Sequence, residues 1–452
     1  MTPARLLFLQ AALLTLAGCA DDSTLEERER CARSVSRGLT QAPTPLLVVG
    51  RPATVKVSSD TIPSCLQELE PTLAPEILTA QVYGPDNTLV PSDIQLNAGR
   101  NPWTATLRFT PPSPGAYHAI VSFSPVGGLQ QFTLLVGTDR TETPAAAELD
   151  RTRCDHVDRT TRGTWVCDGS TLSPGARTWQ SLGVAPKVAV AGDVVWVTEM
   201  GRVRRFVDTG TSLELTATLS LEGLGGTSSR LATEDELVML DTTAITRVTF
   251  AQGQGLTAWP PFRLPSRYRG AFGSDFIEGL LLRSGERLLW VTLESASSSG
   301  GASSVCPLQL GAEGGFVASE TPCQRVPGTP VGSEPGVLWL RIGEREFIGG
   351  DLRVSRYEVR RWVARDGVLD EEGVIPLRNL AFLMNDRRLG AGPVVPTLLQ
   401  PSGRPVALPV WSEEPGVLGL ELFNGASDAL PFAGPRFFWT RVSGTTLRVV
   451  AR

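Results

Sequence analysis

Histidine and lysine are almost absent from this sequence. Its only histidines are His118 and His156, and its only lysines are Lys56 and Lys187. A serine or cysteine nucleophile needs an activating base, most often a histidine, and Schiff-base chemistry needs a lysine amine. The scarcity of both residues argues against these two classes of enzyme.

Other chemical signatures are also missing. There is no Walker A motif, no G-x-S-x-G and no C-x-x-C, which argues against nucleotide hydrolysis, α/β-hydrolase chemistry and a cysteine zinc site. The formal net charge is −5, so the chain has no electrostatic reason to bind nucleic acid. We expect no cofactor, no metal and no catalytic residue.

Long hydrophobic runs are scarce as well. The main one spans 6–16, follows Arg5 and is shorter than the roughly 20 residues that a membrane-spanning helix needs. A positive charge, a short apolar region and small residues together indicate a secretory signal. The run ends in Leu16-Ala17-Gly18-Cys19, which resembles the lipobox of bacterial lipoproteins.

The lipobox resemblance implies that residues 1–18 are a cleaved signal peptide and that Cys19 carries lipid. The acyl chains would be the membrane attachment, and Ala20 after the cysteine favours the outer membrane by the same resemblance. Residues 19–42 are predicted to be a lipidated tether. It contains a short helix, because Ser23 to Glu26 match the S-x-x-E capping box.

Six cysteines remain besides the lipidation site. An even number in an exported chain indicates disulfides, and six allow 15 pairings. Pairing of sequence neighbours would give three bridges: Cys31–Cys65, Cys154–Cys167 and Cys306–Cys323.

Residues 43–138 are predicted to form a β-sandwich. Ala53, Val55 and Val57 alternate with polar residues, as in a half-buried strand. Phe109-Thr-Pro111 and Pro114-Gly-Ala-Tyr117 resemble a segment of bacterial immunoglobulin-like and fibronectin-like domains. That resemblance implies that Tyr117 packs at the corner of the sandwich.

Residues 139–185 are predicted to be a linker with a disulfide hairpin, and residues 186–452 a second all-β domain. Strand-turn-strand phrases recur there at intervals of roughly 40–50 residues, the spacing of β-propeller blades. The recurring large apolar residues are Trp196, Met239, Trp290, Trp339 and Trp439. They indicate a propeller of about six blades. A tandem of sandwiches or a large irregular β domain is the alternative.

One stretch has the aromatic and arginine content of a binding surface. Its residues are Trp259, Phe262, Arg263, Arg267, Tyr268 and Arg269. The structural alternative is a loop whose Trp and Phe pack against a sheet edge. Arg202, Arg204 and Arg205 are expected on solvent faces, and the acidic cluster 366–372 in a solvated turn. A metal site at His156, beside Asp155 and Asp158, is the weaker reading of that segment.

These features predict a lipid-anchored, non-enzymatic protein of the outer membrane that binds an envelope protein or a glycan. The alternative is a carbohydrate-active enzyme with paired carboxylates in the propeller channel, since glycosidases need two acids about 5–10 Å apart.

Overall fold

The computed structural model describes the chain in segments. They are residues 39–41, 47–59, 76–85, 88–96, 104–124, 130–139, 147–151, 154–222, 229–241, 243–265, 279–297, 300–348, 351–377, 398–399, 406–412, 417–423, 432–443 and 446–452. These residues are all-β, and none of them belongs to a helix able to cross a bilayer. The predicted tether helix, Cys19, Cys31 and Cys65 lie outside them.

The chain divides into two compact units: Met1–Ser113 with Tyr117–Leu134, and Pro114–Ala116 with Leu135–Arg452. The strands of the first unit form one sheet in the order β1-β3-β7-β6 and a second that includes β9-β8-β4-β5, with β2 beside β9. Their bounds are β1 (Leu39–Gln41), β2 (Leu47–Val48), β3 (Ala53–Ser59), β4 (Glu76–Tyr83), β5 (Leu89–Val90), β6 (Ser92–Leu96), β7 (Thr104–Phe109), β8 (Gly115–Ser124) and β9 (Gln130–Asp139).

The first unit has the alternation and the tyrosine contact that its sequence predicts. Ala53, Val55 and Val57 are buried, whereas Thr54 and Lys56 between them are exposed. The buried Tyr117 hydroxyl donates to the Ser113 carbonyl at 2.7 Å and accepts from the Ser113 N–H at 3.1 Å. This contact ties the start of β8 to the turn before it.

The second unit consists of short antiparallel sheets that follow one another along the chain. Three of them comprise β11 (Val157–Arg159), β12 (Trp165–Cys167), β13 (Ser170–Leu172) and β14 (Gln180–Ser181); β15 (Lys187–Ala191), β16 (Val194–Glu199), β17 (Arg202–Asp208) and β18 (Leu213–Ser220); and β19 (Ser229–Ala232), β20 (Glu236–Leu240), β21 (Ala244–Ala251), β22 (Gly255–Ala258) and β23 (Phe262–Arg263).

Two further sheets and a trio of strands continue the series. They comprise β24 (Leu280–Ser284), β25 (Arg287–Ser297), β26 (Gly300–Leu310), β27 (Phe316–Ala318) and β28 (Gln324–Pro327); β29 (Thr329–Glu334), β30 (Val337–Ile348), β31 (Asp351–Arg365) and β32 (Val368–Leu377); and the trio β33 (Leu398–Leu399), β34 (Val406–Ser412) and β35 (Val417–Phe423). Thr138 and Asp139, at the end of β9 and within the second unit, pair in parallel with β35.

The last sheet joins the two ends of the second unit. Its strands are β36 (Phe432–Ala433), β37 (Phe437–Ser443), β38 (Thr446–Ala451) and, from far earlier in the chain, β10 (Ala147–Asp150). β10 pairs antiparallel with β38, with Leu149 opposite Leu447. The early strand therefore covers the backbone edge of the late strand.

The second strand of each of the seven groups contains a tryptophan or a methionine, if β36–β38 are counted as the first three strands of the last sheet. These residues are Trp165, Trp196, Met239, Trp290, Trp339, Trp411 and Trp439. The predicted series is confirmed at its five positions. Trp165 and Trp411 extend it, and Trp411 lies inside the long interval between Trp339 and Trp439.

Successive sheets bury their faces against each other. Five clusters each join one sheet to the next, represented by the pairs Trp439 and Trp165, Val166 and Val195, Trp196 and Met239, Val238 and Trp290, and Leu289 and Leu338. Indole hydrogen bonds add to this packing, because the Trp196 Nε1–H donates to the Thr233 carbonyl of the next sheet at 2.8 Å.

Residues 139–185 differ from the prediction of a linker. The predicted hairpin exists, with a Cys154–Cys167 disulfide across β11 and β12, but it continues into a four-stranded sheet. Strands of two or three residues show no readable alternation, which is why the sequence suggested a linker. The second predicted bridge, Cys306–Cys323, is also present.

The packing of β10 against the last sheet is testable with a matched pair of variants. Leu149 is buried against Trp439 and Leu447, whereas its neighbour Glu148 is exposed. We expect Leu149→Ala to lower the free energy of unfolding by about 2–5 kcal/mol. Glu148→Ala should change it by less than about 0.5 kcal/mol. Urea unfolding of both variants measures the difference, and equal effects would contradict the packing of β10.

Candidate functional site

The residues of the predicted binding stretch have different positions in the structure: some pack between sheets and one is exposed. Trp259 is half-buried, and its Nε1–H donates to the Thr249 hydroxyl at 2.9 Å. A Cβ placed on Gly314 would lie 2.4 Å from the Trp259 ring, so the indole packs directly on the β26–β27 turn of the next sheet. Trp259 is therefore a contact between two sheets.

Phe262 is also a packing residue. Its ring centroid lies 6.4 Å from that of Trp290, edge to face, at the border of a buried cluster. Arg263 is exposed. Arg267, Tyr268 and Arg269 lie outside the described residues, so the predicted binding surface stays a prediction for that part of the stretch.

A charged network lies beside Trp259. The Glu236 carboxylate accepts from Arg247 Nε at 2.6 Å and also pairs with Arg283. The Arg247 guanidinium donates to the Gly314 carbonyl at 2.8 Å and lies 5.7 Å from the Trp259 ring centroid. One carboxylate thus fixes two arginines from neighbouring sheets.

Arg205 corrects a second expectation. It was predicted on a solvent face, but only 6% of it is exposed. Its guanidinium stacks on Phe250 at 3.9 Å and donates to the Glu234 carbonyl at 3.1 Å and the Thr216 hydroxyl at 3.0 Å. Arg205 lies on the same face of β17 as the buried Val203, and the register shift in the β17–β18 pairing comes after it. Its burial therefore follows the two-residue alternation of the strand, and the contacts with Phe250 and Glu234 allow a charged residue at that inward position.

His156 is one of the buried titratable groups of the second unit. It lies between Cys154 and β11, with 8% of its surface exposed. Asp168, directly after Cys167, accepts the backbone N–H of His156 at 2.8 Å and that of Asp155 at 2.7 Å. The disulfide and this carboxylate together hold the backbone at His156.

Four charged residues act on the His156 ring. They are Asp158, Asp168, Arg230 and Arg436, and with His156 we call them the His156 cluster. Burial lowers the pKa of His156, as do the two arginines, against the opposite effect of the two aspartates. Burial likewise lowers the pKa of Arg230 to about 10.

Burial disfavours protonation of the His156 ring and lowers its pKa. Its Nδ1 atom makes no hydrogen bond in the structure. Among the described residues, no three His, Cys, Asp or Glu side chains come together to hold a metal ion.

Buried carboxylates elsewhere in the second unit are hydrogen-bond acceptors within the fold. Asp208 accepts from the Thr160 hydroxyl at 2.5 Å and the Gly210 N–H at 2.8 Å. Asp241 accepts from the Thr243 N–H at 2.6 Å and the Ala244 N–H at 2.8 Å. Asp208 connects its own turn to the neighbouring sheet, and Asp241 fixes the turn that follows it. Both carboxylates therefore stabilise the fold.

The acidic cluster 366–372 lies at the β31–β32 hairpin. Arg360 pairs with Glu371 at 2.7 Å and with Glu358 at 2.6 Å, and Glu372 pairs with Arg361 and Arg365. The acids therefore face arginines of the adjacent strand. Opposite charges on facing strands attract, so these ion pairs favour the β31–β32 hairpin.

Comparison with known proteins finds no matching family and no matching curated protein. Solved structures align at low similarity. A functionally unknown protein from Desulfotomaculum acetoxidans is 11% identical, with 58% of this chain and 95% of that one covered and a TM-score of 0.30. A quinoprotein alcohol dehydrogenase-like protein from Bacteroides thetaiotaomicron is 10% identical, with 90% and 97% covered and a TM-score of 0.26.

A third alignment is to PorZ of Porphyromonas gingivalis, described as a bacterial surface component of the type-IX secretion system. It is 11% identical, covers 88% of this chain and 50% of PorZ, and has a TM-score of 0.19. Similarities at this level carry no argument about function, so the chain's own residues must supply it.

The His156 environment predicts a pH dependence. A histidine whose pKa is lowered in the folded state contributes stability above its unfolded pKa of 6.5, and that stability is lost as the pH falls below 6.5. We expect His156→Gln to reduce this loss. Urea unfolding of both proteins from pH 7.5 to 5.5 measures it.

Asp168 changes the free energy of unfolding with pH in the opposite direction to His156. Burial raises the pKa of Asp168 above 3.8, so its contribution to stability is lost as the pH rises through that pKa. The difference between wild type and His156→Gln isolates the histidine. Parallel pH curves for the two proteins would contradict a buried neutral imidazole.

The different positions of Trp259 and Arg263 in the predicted binding stretch give another test. We expect Trp259→Ala to lower the free energy of unfolding by about 2–3 kcal/mol, below the range for a fully buried tryptophan. Arg263→Ala, four residues away on an exposed position, should leave stability within about 0.5 kcal/mol of wild type. Thermal unfolding compares the two, and an unchanged Trp259→Ala midpoint would show that the indole is not an inter-sheet contact.

Proposed function

We propose that this chain is a lipid-anchored, non-enzymatic protein of the bacterial outer membrane that binds an envelope protein or a glycan. The proposal combines the lipobox at Leu16–Cys19, the disulfides and a rigid series of sheets. Two disulfides in the described residues support an oxidising compartment, since such bonds are rare in the cytosol.

We infer that the first unit is an immunoglobulin-like sandwich and that the second is a β-propeller. The Tyr117–Ser113 contact supports the first inference. Consecutive antiparallel sheets, a tryptophan or methionine on each second strand and the β10–β38 pairing support the second. A ring built in this way presents loops at its two ends, where propellers bind partners.

One observation carries the functional proposal. Asp168, Asp208, Glu236 and Asp241 are all engaged by backbone, hydroxyl or arginine groups that join turns and sheets. Paired catalytic carboxylates need a cavity and a separation that leaves room for substrate. Acids used as structural acceptors favour a rigid binding scaffold over the carbohydrate-active enzyme.

The lipid anchor is tested in cells. Cys19→Ser should move the protein from the membrane fraction to the soluble fraction, because a chain without acyl groups loses its predicted attachment. Globomycin should cause the unprocessed precursor to accumulate. A Cys19→Ser protein that stays in the membrane fraction under high salt would contradict lipidation at this residue.

The binding role is tested separately by crosslinking intact cells and purifying the lipidated protein. A reproducible protein or glycan partner, lost when loops of the second unit are replaced, is the expected result. Hydrolysis of a defined polysaccharide by the purified chain would overturn the non-enzymatic assignment.

A further inference from the structure

Two apolar side chains of the second unit project almost entirely into solvent. Val184 is 90% exposed and Met200 is 91% exposed. Val184 precedes β15, and Met200 occupies the turn between β16 and β17. Solvation of such groups is unfavourable, so a surface that displays them invites an apolar partner.

These two side chains belong to neighbouring turns. The Val184 N–H donates to Glu199 Oε1 at 3.2 Å, and Glu199 directly precedes Met200. A Cβ on Gly183 would overlap the same carboxylate oxygen. Glu199 itself pairs with Arg204 at 3.0 Å, with both side chains largely buried. The charge at the base of the turns is therefore neutralised.

Cations flank the exposed pair. Lys187 begins β15 and Arg202 begins β17; both are exposed and lie at the same end of the sheet as the Met200 turn. The exposed acid Glu222 follows Leu221, whose N–H donates to the Gly201 carbonyl at 2.9 Å. A second exposed acid, Asp168, precedes Gly169, which packs on Pro186, and its carboxylate accepts the backbone N–H groups of Asp155 and His156. Lys187 and Arg202 thus place two exposed cations beside the apolar tip.

Another exposed apolar pair of the second unit has an acid beside it. Leu310 and Val317 flank a turn that carries the exposed Glu313. The Val184–Met200 tip, with Lys187 and Arg202 beside it, differs in charge from this pair.

We propose that the tip formed by Val184, Met200, Lys187 and Arg202 inserts into the surface of an anionic phospholipid bilayer. The apolar side chains enter the boundary between headgroups and acyl chains, while the lysine and arginine contact lipid phosphates. The proposal rests on the envelope location proposed above. It does not depend on the lipid at Cys19, and it makes the second unit a second point of membrane contact.

The test uses residues 20–452 without lipid, floated with vesicles of phosphatidylethanolamine and phosphatidylglycerol at low ionic strength. We expect wild type to float. Val184→Asp/Met200→Asp should weaken binding about tenfold or more, because both apolar groups leave the lipid. Lys187→Gln/Arg202→Gln should weaken binding to these vesicles several-fold and leave binding to pure phosphatidylcholine unchanged.

Leu310→Asp/Val317→Asp is the matched control, since it places the same charges on another exposed apolar pair. It should float like wild type. Circular dichroism and thermal unfolding establish that each variant is folded. Absence of wild type from the floated fraction, or an equal loss in the control, overturns the proposal. Either result leaves the Cys19 anchor standing, because the vesicle experiment contains no acylated protein.

Discussion

The pairing of β10 with β38 is the constraint on which the second unit depends. Backbone groups at a sheet edge are strong hydrogen-bonding sites, and an uncovered edge templates association with other chains. Here a strand at 147–150 covers the strand at 446–451, so the sheet contains both ends of the unit. Leu149 adds apolar burial against Trp439 to the same contact. Loss of this pairing would expose an edge and a hydrophobic cluster together.

Polar contacts between sheets act alongside the apolar clusters. Glu236 holds arginines of two sheets, and Arg205 stacks on Phe250 while it donates to the Glu234 carbonyl. Apolar burial is not directional, whereas a charged hydrogen bond has a required geometry. The combination fixes the relative position of neighbouring sheets. It also accounts for the buried charge of this unit.

The sequence predicts the features that have a clear period or pairing. Local patterns predict the all-β class, the Gly192-Asp193 turn and the series from Trp196 to Trp439. They also predict two disulfides, each between cysteines that follow one another in the sequence. The β11–β14 sheet is missed because its strands are too short to alternate. Arg205 and the packing role of Trp259 are missed because tertiary contacts determine them, and no local pattern encodes a neighbour from another sheet.

The shared sheet also has a consequence for the order of assembly. A ribosome makes β10 roughly 300 residues before its partner, and the chain between them contains every other sheet of the unit. Cys154 and Cys167 are 13 residues apart, so their bridge requires no strand from the end of the chain. The edge of β10 that pairs with β38, by contrast, has no partner until the final strand is present. A chain that lacks its last residues therefore keeps an unpaired strand edge, which is a site for association with other chains.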